Sequence, residues 1–196
     1  MAKKRKKQKI SILQYNAPTT LTFTLMCLFV LFLDLITDGN STLKLFCVYR
    51  WDMKELLGYV RLFTHVLGHA DFTHLTGNLV LMLVIGPALE ERYGSTNMWW
   101  AIIVTALVSG TIQCLCFPDT ALMGASGIVF MMIIMSSLGG MRGGIPITLI
   151  LVFIIYIGGE IYDGIKTSDN ISQLAHIVGG ICGAVMGIGM RLKGKR

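Results

Sequence analysis

Long apolar stretches separated by short polar segments dominate this chain. Hydrophobic residues make up 54% of its 196 positions and charged residues 14%, a composition that excludes an ordinary soluble domain. A transmembrane helix needs about 20 mostly apolar residues. The chain offers six stretches that approach this length: 18–36, 73–89, 99–117, 123–138, 145–162 and 172–190. The pattern predicts an all-α polytopic membrane protein built as a bundle of six transmembrane helices.

The segment between the first two stretches, residues 37–72, has a different pattern. Charged side chains such as Arg50 and Glu55 alternate with large apolar ones such as Phe46 and Trp51. The segment is too polar to cross a bilayer, yet more apolar than a loop surrounded by water. We expect short amphipathic helices that lie in the interface between lipid and water.

Basic residues gather at the two ends of the chain. Six lie among the first nine residues and four among the last six, out of 17 in total. Arg92 and Arg142 add two on the same side of the predicted bundle, against five on the other side. Because cytoplasmic loops are enriched in Lys and Arg, we expect basic cytoplasmic tails, 1–16 and 191–196, around one membrane domain, 17–190. Such tails favour contact with membrane lipid, and no nucleic acid is expected as a partner.

Polar side chains recur at one level of the predicted helices. Asn78, Ser126 and His176 each follow an aspartate of an outer loop by seven positions. At 1.5 Å of rise per helical residue, each lies about 10 Å below its loop. His74 precedes Asn78 by four positions and so lies one turn above it on the same face. Because polar groups are costly inside a membrane, their clustering predicts a functional site.

Glycines on the last stretch predict how two of these residues meet. Gly179, Gly183 and Gly187 recur every four positions and form one stripe, which His176 joins at its outer end. Small residues let helix backbones approach closely. If this stripe packs on the fourth stretch at Ser126 and its neighbour Gly127, the imidazole reaches the serine hydroxyl.

The predicted chemistry is that of a serine hydrolase with a catalytic pair. His176 takes the proton from Ser126, which attacks a peptide carbonyl. His74, Asn78 and the amide of Ser126 stabilise the oxyanion. No acidic side chain is evidently placed to orient His176, so a Ser126–His176 dyad is favoured over a triad.

Over about residues 17–190, the chain resembles the rhomboid intramembrane serine proteases. The motifs that carry the resemblance are His69-Ala-Asp-Phe-Thr-His74-Leu-Thr-Gly-Asn78 with the following Gly86-Pro-Ala-Leu-Glu90-Glu-Arg92-Tyr-Gly94-Ser95, then Gly124-Ala125-Ser126-Gly127, and last Ala175-His176-Ile-Val-Gly179 with Gly183. Their order and spacing make the resemblance specific, and it covers nearly the whole predicted membrane domain.

The resemblance implies the basic six-helix bacterial form of the fold, with an interfacial loop between the first two helices. It implies the same nucleophile, base and oxyanion residues, with Gly124 opening the serine motif and Gly127, Gly179 and Gly183 supporting it. The implied substrates are transmembrane segments of membrane proteins, cut near the outer face. The implied location is the bacterial cytoplasmic (inner) membrane. No cofactor and no metal is implied, and the oligomeric state is not indicated.

Two alternatives remain at this point. His65, His69 and His74 are spaced by four and five positions, which suits a metal site on successive helical turns. The second alternative is a non-catalytic, client-binding relative of the same fold. Such relatives usually lack the serine or the histidine, whereas this chain has both.

Overall fold

The computed structural model describes residues 14–139 and 170–193, together with positions 147, 150, 151 and 154. Within 170–193, side chains are described over 174–190. Within the described residues, regular structure is helical apart from one bridged pair. The helices are α1 (Pro18–Ile36), α2 (Asn40–Leu45), α3 (Leu56–Thr64), α4 (Phe72–Tyr93), α5 (Ser95–Cys116), α6 (Ser126–Gly139) and α7 (Asn170–Lys193), with a 3-10 turn, His65–Leu67, after α3. The predicted fifth span, 145–162, lies outside the described residues except at those four positions, which are helical.

Several helices have the length and composition of membrane spans. In the described part of the chain, α1, α4 and α5 are each long and apolar enough to cross a bilayer. Helix α6 and residues 174–190 of α7 are apolar but shorter. Large apolar side chains such as Leu25, Phe29 and Val84 are exposed, as expected for faces turned to lipid. The predicted all-α, polytopic membrane architecture is confirmed, whereas the count of six spans stays a prediction.

Helix α6 forms the centre of the bundle. Its eight consecutive residues from Ile128 to Met135 are all buried, and α4, α5 and α7 pack around it. A helix that is apolar on every side is stable only when it is surrounded. The absence of a polar face in this part of the sequence is therefore explained by its central place.

The start of α6 differs from the prediction. The fourth apolar stretch begins at residue 123 in the sequence, whereas the helix begins at Ser126 itself, so the helical rise used to estimate the depth of the serine does not apply to the residues that follow Asp119. Non-helical backbone leads to the serine, and part of it is hydrogen-bonded to distant segments of the chain. Leu122 exchanges both backbone hydrogen bonds with Val48, at 2.8 and 2.9 Å. Irregular backbone is tolerated at membrane depth only where protein satisfies it in this way.

A buried carboxylate joins α4 to α1. Glu90, which lies at the polar end of the predicted second span, is 4% exposed. Its carboxylate accepts hydrogen bonds from the amides of Thr19 and Thr20, at 2.7 and 2.9 Å. Amides in the first turn of a helix have no partner within the helix. Glu90 therefore caps α1 from a neighbouring helix.

The segment between α1 and α4 contains short helices, as its sequence predicts, and their place in the interface stays a prediction. Arg61 is buried on α3, where its guanidinium donates to the Tyr49 hydroxyl at 2.8 Å and pairs with Glu55 at 3.2 Å. The Trp51 ring lies directly over Gly58. The opposite side of this segment exposes large apolar residues: Met53, Leu56, Tyr59, Val60 and Phe63. This face suits an interface with lipid.

Candidate active site

Ser126 opens α6 at the end of a tightly held turn. Ala125 is the residue before the helix, and its carbonyl accepts the first helical hydrogen bond, from Val129, at 2.9 Å. The Gly124 amide donates to the His65 carbonyl at 3.0 Å. The amide of Ser126 thus belongs to the first turn of a helix, where N–H groups lack helical partners and the helix dipole is positive.

Gly124 is required by both conformation and space. Its φ of +122° is one that residues with a side chain rarely adopt. A Cβ atom at this position would lie 2.8 Å from Cε1 and 2.9 Å from Nε2 of His74. The imidazole of His74 therefore packs directly against the turn that presents Ser126.

The predicted glycine stripe on α7 packs on α6. A Cβ at Gly179 would collide with the carbonyl of Gly127, and one at Gly183 with the carbonyl of Met131. A Cβ at Gly127 would in turn lie 3.2 Å from the Ala175 carbonyl oxygen. Such close backbone approach is what small residues permit between membrane helices. The packing predicted from the four-residue glycine spacing is confirmed.

His176 lies at the outer end of this contact. The residue is 9% exposed, and its ring stacks on Phe130, with ring centroids 4.9 Å apart and planes at 15°. Phe130 follows Ser126 by four residues on α6, so it lies one helical turn below the serine. The stack fixes the plane of the imidazole beside the serine's own helix.

His74 and Asn78 come from the adjacent helix α4. The Asn78 side-chain amide donates to the His74 carbonyl at 3.1 Å, which is one helical turn away. Asn78 is 7% exposed. Their predicted relation, one above the other on one face, is confirmed by this hydrogen bond.

All four predicted polar residues line one cavity of about 350 Å³. Ser126 enters from α6, His176 from α7, and His74 and Asn78 from α4. The remaining lining residues are mostly small or apolar: Thr73, Gly77, Leu81, Val129 and Phe130. Chemically, the cavity combines a hydroxyl, an imidazole and hydrogen-bond donors within largely apolar walls. Such a setting strengthens electrostatic interactions with a developing charge.

Sequence reasoning missed the part of this cavity that Phe130, Val129 and Leu81 form. An i, i+4 relation to Ser126 could have indicated Phe130. The role of Leu81 depends on how α4 and α6 face each other, and local spacing does not encode that orientation.

The two other histidines of the motif have different surroundings. The ring nitrogens of His65 lie 3.1 Å from the Arg61 carbonyl and 3.3 Å from the Ser109 hydroxyl. Those of His69 contact the Leu67 carbonyl at 3.1 Å and the Ala125 amide at 3.4 Å. Burial lowers the pKa of each ring to about 4.

These contacts argue against the metal alternative. Both ring nitrogens of His65 and of His69 are engaged by protein groups, so neither ring offers a nitrogen to an ion. Across the residues that the structure describes, no group of three or more His, Cys, Asp or Glu side chains is arranged to hold a metal.

Comparison with known proteins is consistent with this geometry. The Rhomboid domain model matches residues 57–193. Rhomboid protease GlpG of Serratia proteamaculans (strain 568) is 28% identical over 174 residues, covering 86% of this chain and 61% of that protein. Rhomboid protease GlpG of Yersinia pestis (strain Pestoides F) is 27% identical over 188 residues, covering 91% of this chain and 66% of that protein.

A plant protein is also similar: Rhomboid-like protein 11, chloroplastic, of Arabidopsis thaliana is 27% identical over 134 residues, covering 60% of this chain and 48% of that protein. This chain thus spans less than two thirds of the length of these relatives. The family match, however, includes α4, α6 and α7, which carry every residue of the cavity. The chain belongs to the rhomboid family.

Proposed function

We propose that this protein is an intramembrane serine endopeptidase that hydrolyses peptide bonds in or near transmembrane segments of membrane proteins. The observation that carries the proposal is the shared cavity of Ser126, His176, His74 and Asn78. The similar proteins named rhomboid protease support the same reaction class.

In the proposed reaction, His176 accepts the proton of the Ser126 hydroxyl while the oxygen attacks the carbonyl carbon of the substrate. The tetrahedral intermediate collapses, the C–N bond breaks, and His176 returns the proton to the leaving amine. Water then attacks the acyl-enzyme with the same imidazole as base, which regenerates the serine. The stack on Phe130 holds the imidazole in one plane through both steps.

The proposed oxyanion site consists of donors already fixed in space. The Ser126 amide lies at the start of α6, where the helix dipole favours negative charge. His74 is held against Gly124, and Asn78 is tied to the His74 carbonyl. Donors that need no rearrangement contribute most to the stabilisation of a transition state.

The proposal includes an arrangement of the whole chain in the membrane. Residues 17–190 form the membrane domain with six spans, and 1–16 and 191–196 are cytoplasmic tails. The bilayer is the bacterial inner membrane, and the site opens toward its outer face. The excess of basic residues on the side of the termini supports this orientation.

The test is cleavage of a model transmembrane substrate by purified protein in detergent. We expect Ser126→Ala and His176→Ala each to lower kcat by at least about 10⁴-fold, as loss of a nucleophile or base does in serine proteases. Ser136→Ala is the matched control, because Ser136 is an exposed serine on the same helix. A fluorophosphonate probe should label the parent and the control, but not Ser126→Ala.

Cleavage by Ser126→Ala at the parent rate would show that the proposed nucleophile is wrong. Absence of both cleavage and labelling in the parent, with retained binding of the substrate, would instead identify a client-binding relative. Chelation of metal ions should leave cleavage and labelling unchanged.

A further inference from the structure

The side chain of His69 joins the interfacial segment to the turn before Ser126. It lies between the 3-10 turn and α4, is 1% exposed, and does not line the cavity. Its Nδ1 lies 3.1 Å from the Leu67 carbonyl oxygen, and its Nε2 lies 3.4 Å from the Ala125 amide nitrogen.

These two partners determine which nitrogen carries the proton. A carbonyl oxygen only accepts, so Nδ1 must donate to Leu67. A backbone amide only donates, so Nε2 must accept from Ala125. A neutral imidazole with its proton on Nδ1 satisfies both demands at once. Burial is the main cause that lowers the pKa of His69 to about 4, so the ring is neutral at pH 7.

The same ring contacts His74. The two ring centroids are 5.0 Å apart, with the planes at 67° in an edge-to-face arrangement. His74 in turn packs against Gly124. His69 therefore touches two elements of the site: the turn that ends at Ser126 and the side chain proposed to stabilise the oxyanion.

We propose that His69 is a positioning residue, which holds the Ala125 amide and the His74 ring in place so that Ser126 and the oxyanion donors keep their relative geometry. The inference rests on the proposed protease function. Ala125 directly precedes the serine, and its amide is directed toward His69. A change in the backbone torsions at Ala125 would move both the hydroxyl and the amide of Ser126. A misplacement of about 1 Å in a reacting group can cost about 10²-fold in rate.

The experiment compares two replacements of His69. His69→Leu removes the acceptor, whereas the side-chain carbonyl of His69→Gln can accept from the Ala125 amide. We expect His69→Leu to lower kcat by about 10- to 100-fold with KM changed by less than about twofold. We expect His69→Gln to recover kcat to within about threefold of the parent, because one acceptor suffices for the amide.

His65→Leu is the matched control. His65 is also 1% exposed, and its ring also bonds a backbone carbonyl, but its second nitrogen contacts Ser109 rather than the serine turn. We expect His65→Leu to lower the unfolding temperature about as much as His69→Leu while keeping kcat within about threefold of the parent, because neither of its ring contacts involves the turn and leucine keeps the backbone carbonyl that accepts from Gly124. Equal loss of kcat in both leucine variants, or no recovery in His69→Gln, would overturn the inference.

A second readout does not depend on activity. In protein labelled with ¹⁵N-histidine, the ring signals of His69 are assigned by their loss in His69→Gln. They should report the neutral form with the proton on Nδ1 at pH 7. A proton on Nε2 or a charged ring would overturn the inference even in a protein that cleaves nothing. Absence of cleavage in the parent, with the expected ring signals, would count against the protease function and leave the hydrogen bond established.

Discussion

Gly124 is a residue at which the site leaves no room for a side chain. Alanine there must adopt a φ of +122° and place its Cβ within 3 Å of the His74 ring. Strain of this kind costs about 1 to 3 kcal/mol, and the contact also displaces His74. We expect Gly124→Ala to lower kcat at least about tenfold, because His74, a proposed oxyanion donor, moves. The measurement is cleavage of a model transmembrane substrate.

Gly39→Ala is the control that separates the effect of backbone strain from that of a steric contact. Gly39 also has a positive φ, +82°, but among the described residues nothing lies within 4 Å of its would-be Cβ. We expect this variant to unfold at a lower temperature and to cleave at the parent rate. If Gly124→Ala behaved in the same way, the contact with His74 would have no importance for the reaction.

His65 makes the stability of the fold depend on pH. Burial lowers its pKa from 6.5 to about 4, so the unfolded chain takes up the proton at a higher pH than the folded protein. The contribution of the neutral His65 ring to the free energy of unfolding is complete above pH 6.5 and is lost as the pH falls toward 4. Because a tenfold change in a proton-binding constant corresponds to about 1.4 kcal/mol, the loss is roughly 3 kcal/mol.

The check is the free energy of unfolding at pH 7 and at pH 4.5, measured for the parent and for His65→Gln. The parent should lose more stability on acidification than the variant. The loss of stability that remains in the variant is due partly to His69, whose pKa is also lowered. Identical losses in parent and variant would rule out His65 as a source of the pH dependence.

At the scale of helices, the contact between α6 and α7 decides whether the serine and the histidine meet. A methyl group at Gly179 would collide with the carbonyl of Gly127, so Gly179→Ala must move the helices apart. Overpacking of this kind costs about 1 to 3 kcal/mol, and the separation takes His176 away from Ser126. We expect both a lower unfolding temperature and a lower kcat.

Gly189→Ala is the control on the same helix, because the described residues leave open space around its would-be Cβ. It should unfold and cleave like the parent. Full activity of Gly179→Ala would mean that the close approach of α6 and α7 is not needed for the reaction.

Local patterns in the sequence were enough to predict several of these helices and one contact between two of them. The first span matched its helix, Pro18–Ile36, at both ends, because Pro18 marks a helix start and the apolar run is unbroken. The stripe from Gly179 to Gly187 identified the face of α7 that packs on α6, because glycines four apart share one face.

Contacts between distant parts of the chain were not predictable in this way. The late start of α6 depends on the pairing of Leu122 with Val48. The burial of Glu90 depends on the N-terminal turn of α1, whose amides it caps. In both cases the partner lies far away along the sequence, and neither spacing nor periodicity identifies it.

At the scale of the whole molecule, the orientation in the membrane can be tested with thiol labelling. Cys116 is exposed at the end of α5, on the side proposed to face outward. An impermeant maleimide should label it in intact cells, because positive charge keeps the opposite side in the cytoplasm. Glu91→Cys in a Cys116→Ser background should react only after the membrane is opened. The reverse pattern would invert the proposed topology.

The pairing of Val48 with Leu122 also bears on the order in which the protein matures. The two residues belong to segments separated by α3, α4 and α5, and contacts between distant segments form late in folding. A newly inserted chain thus contains Ser126 before the turn that presents this serine has formed. On the proposed protease function, we expect cleavage activity to be acquired only in the final stage of folding, after this pairing has formed.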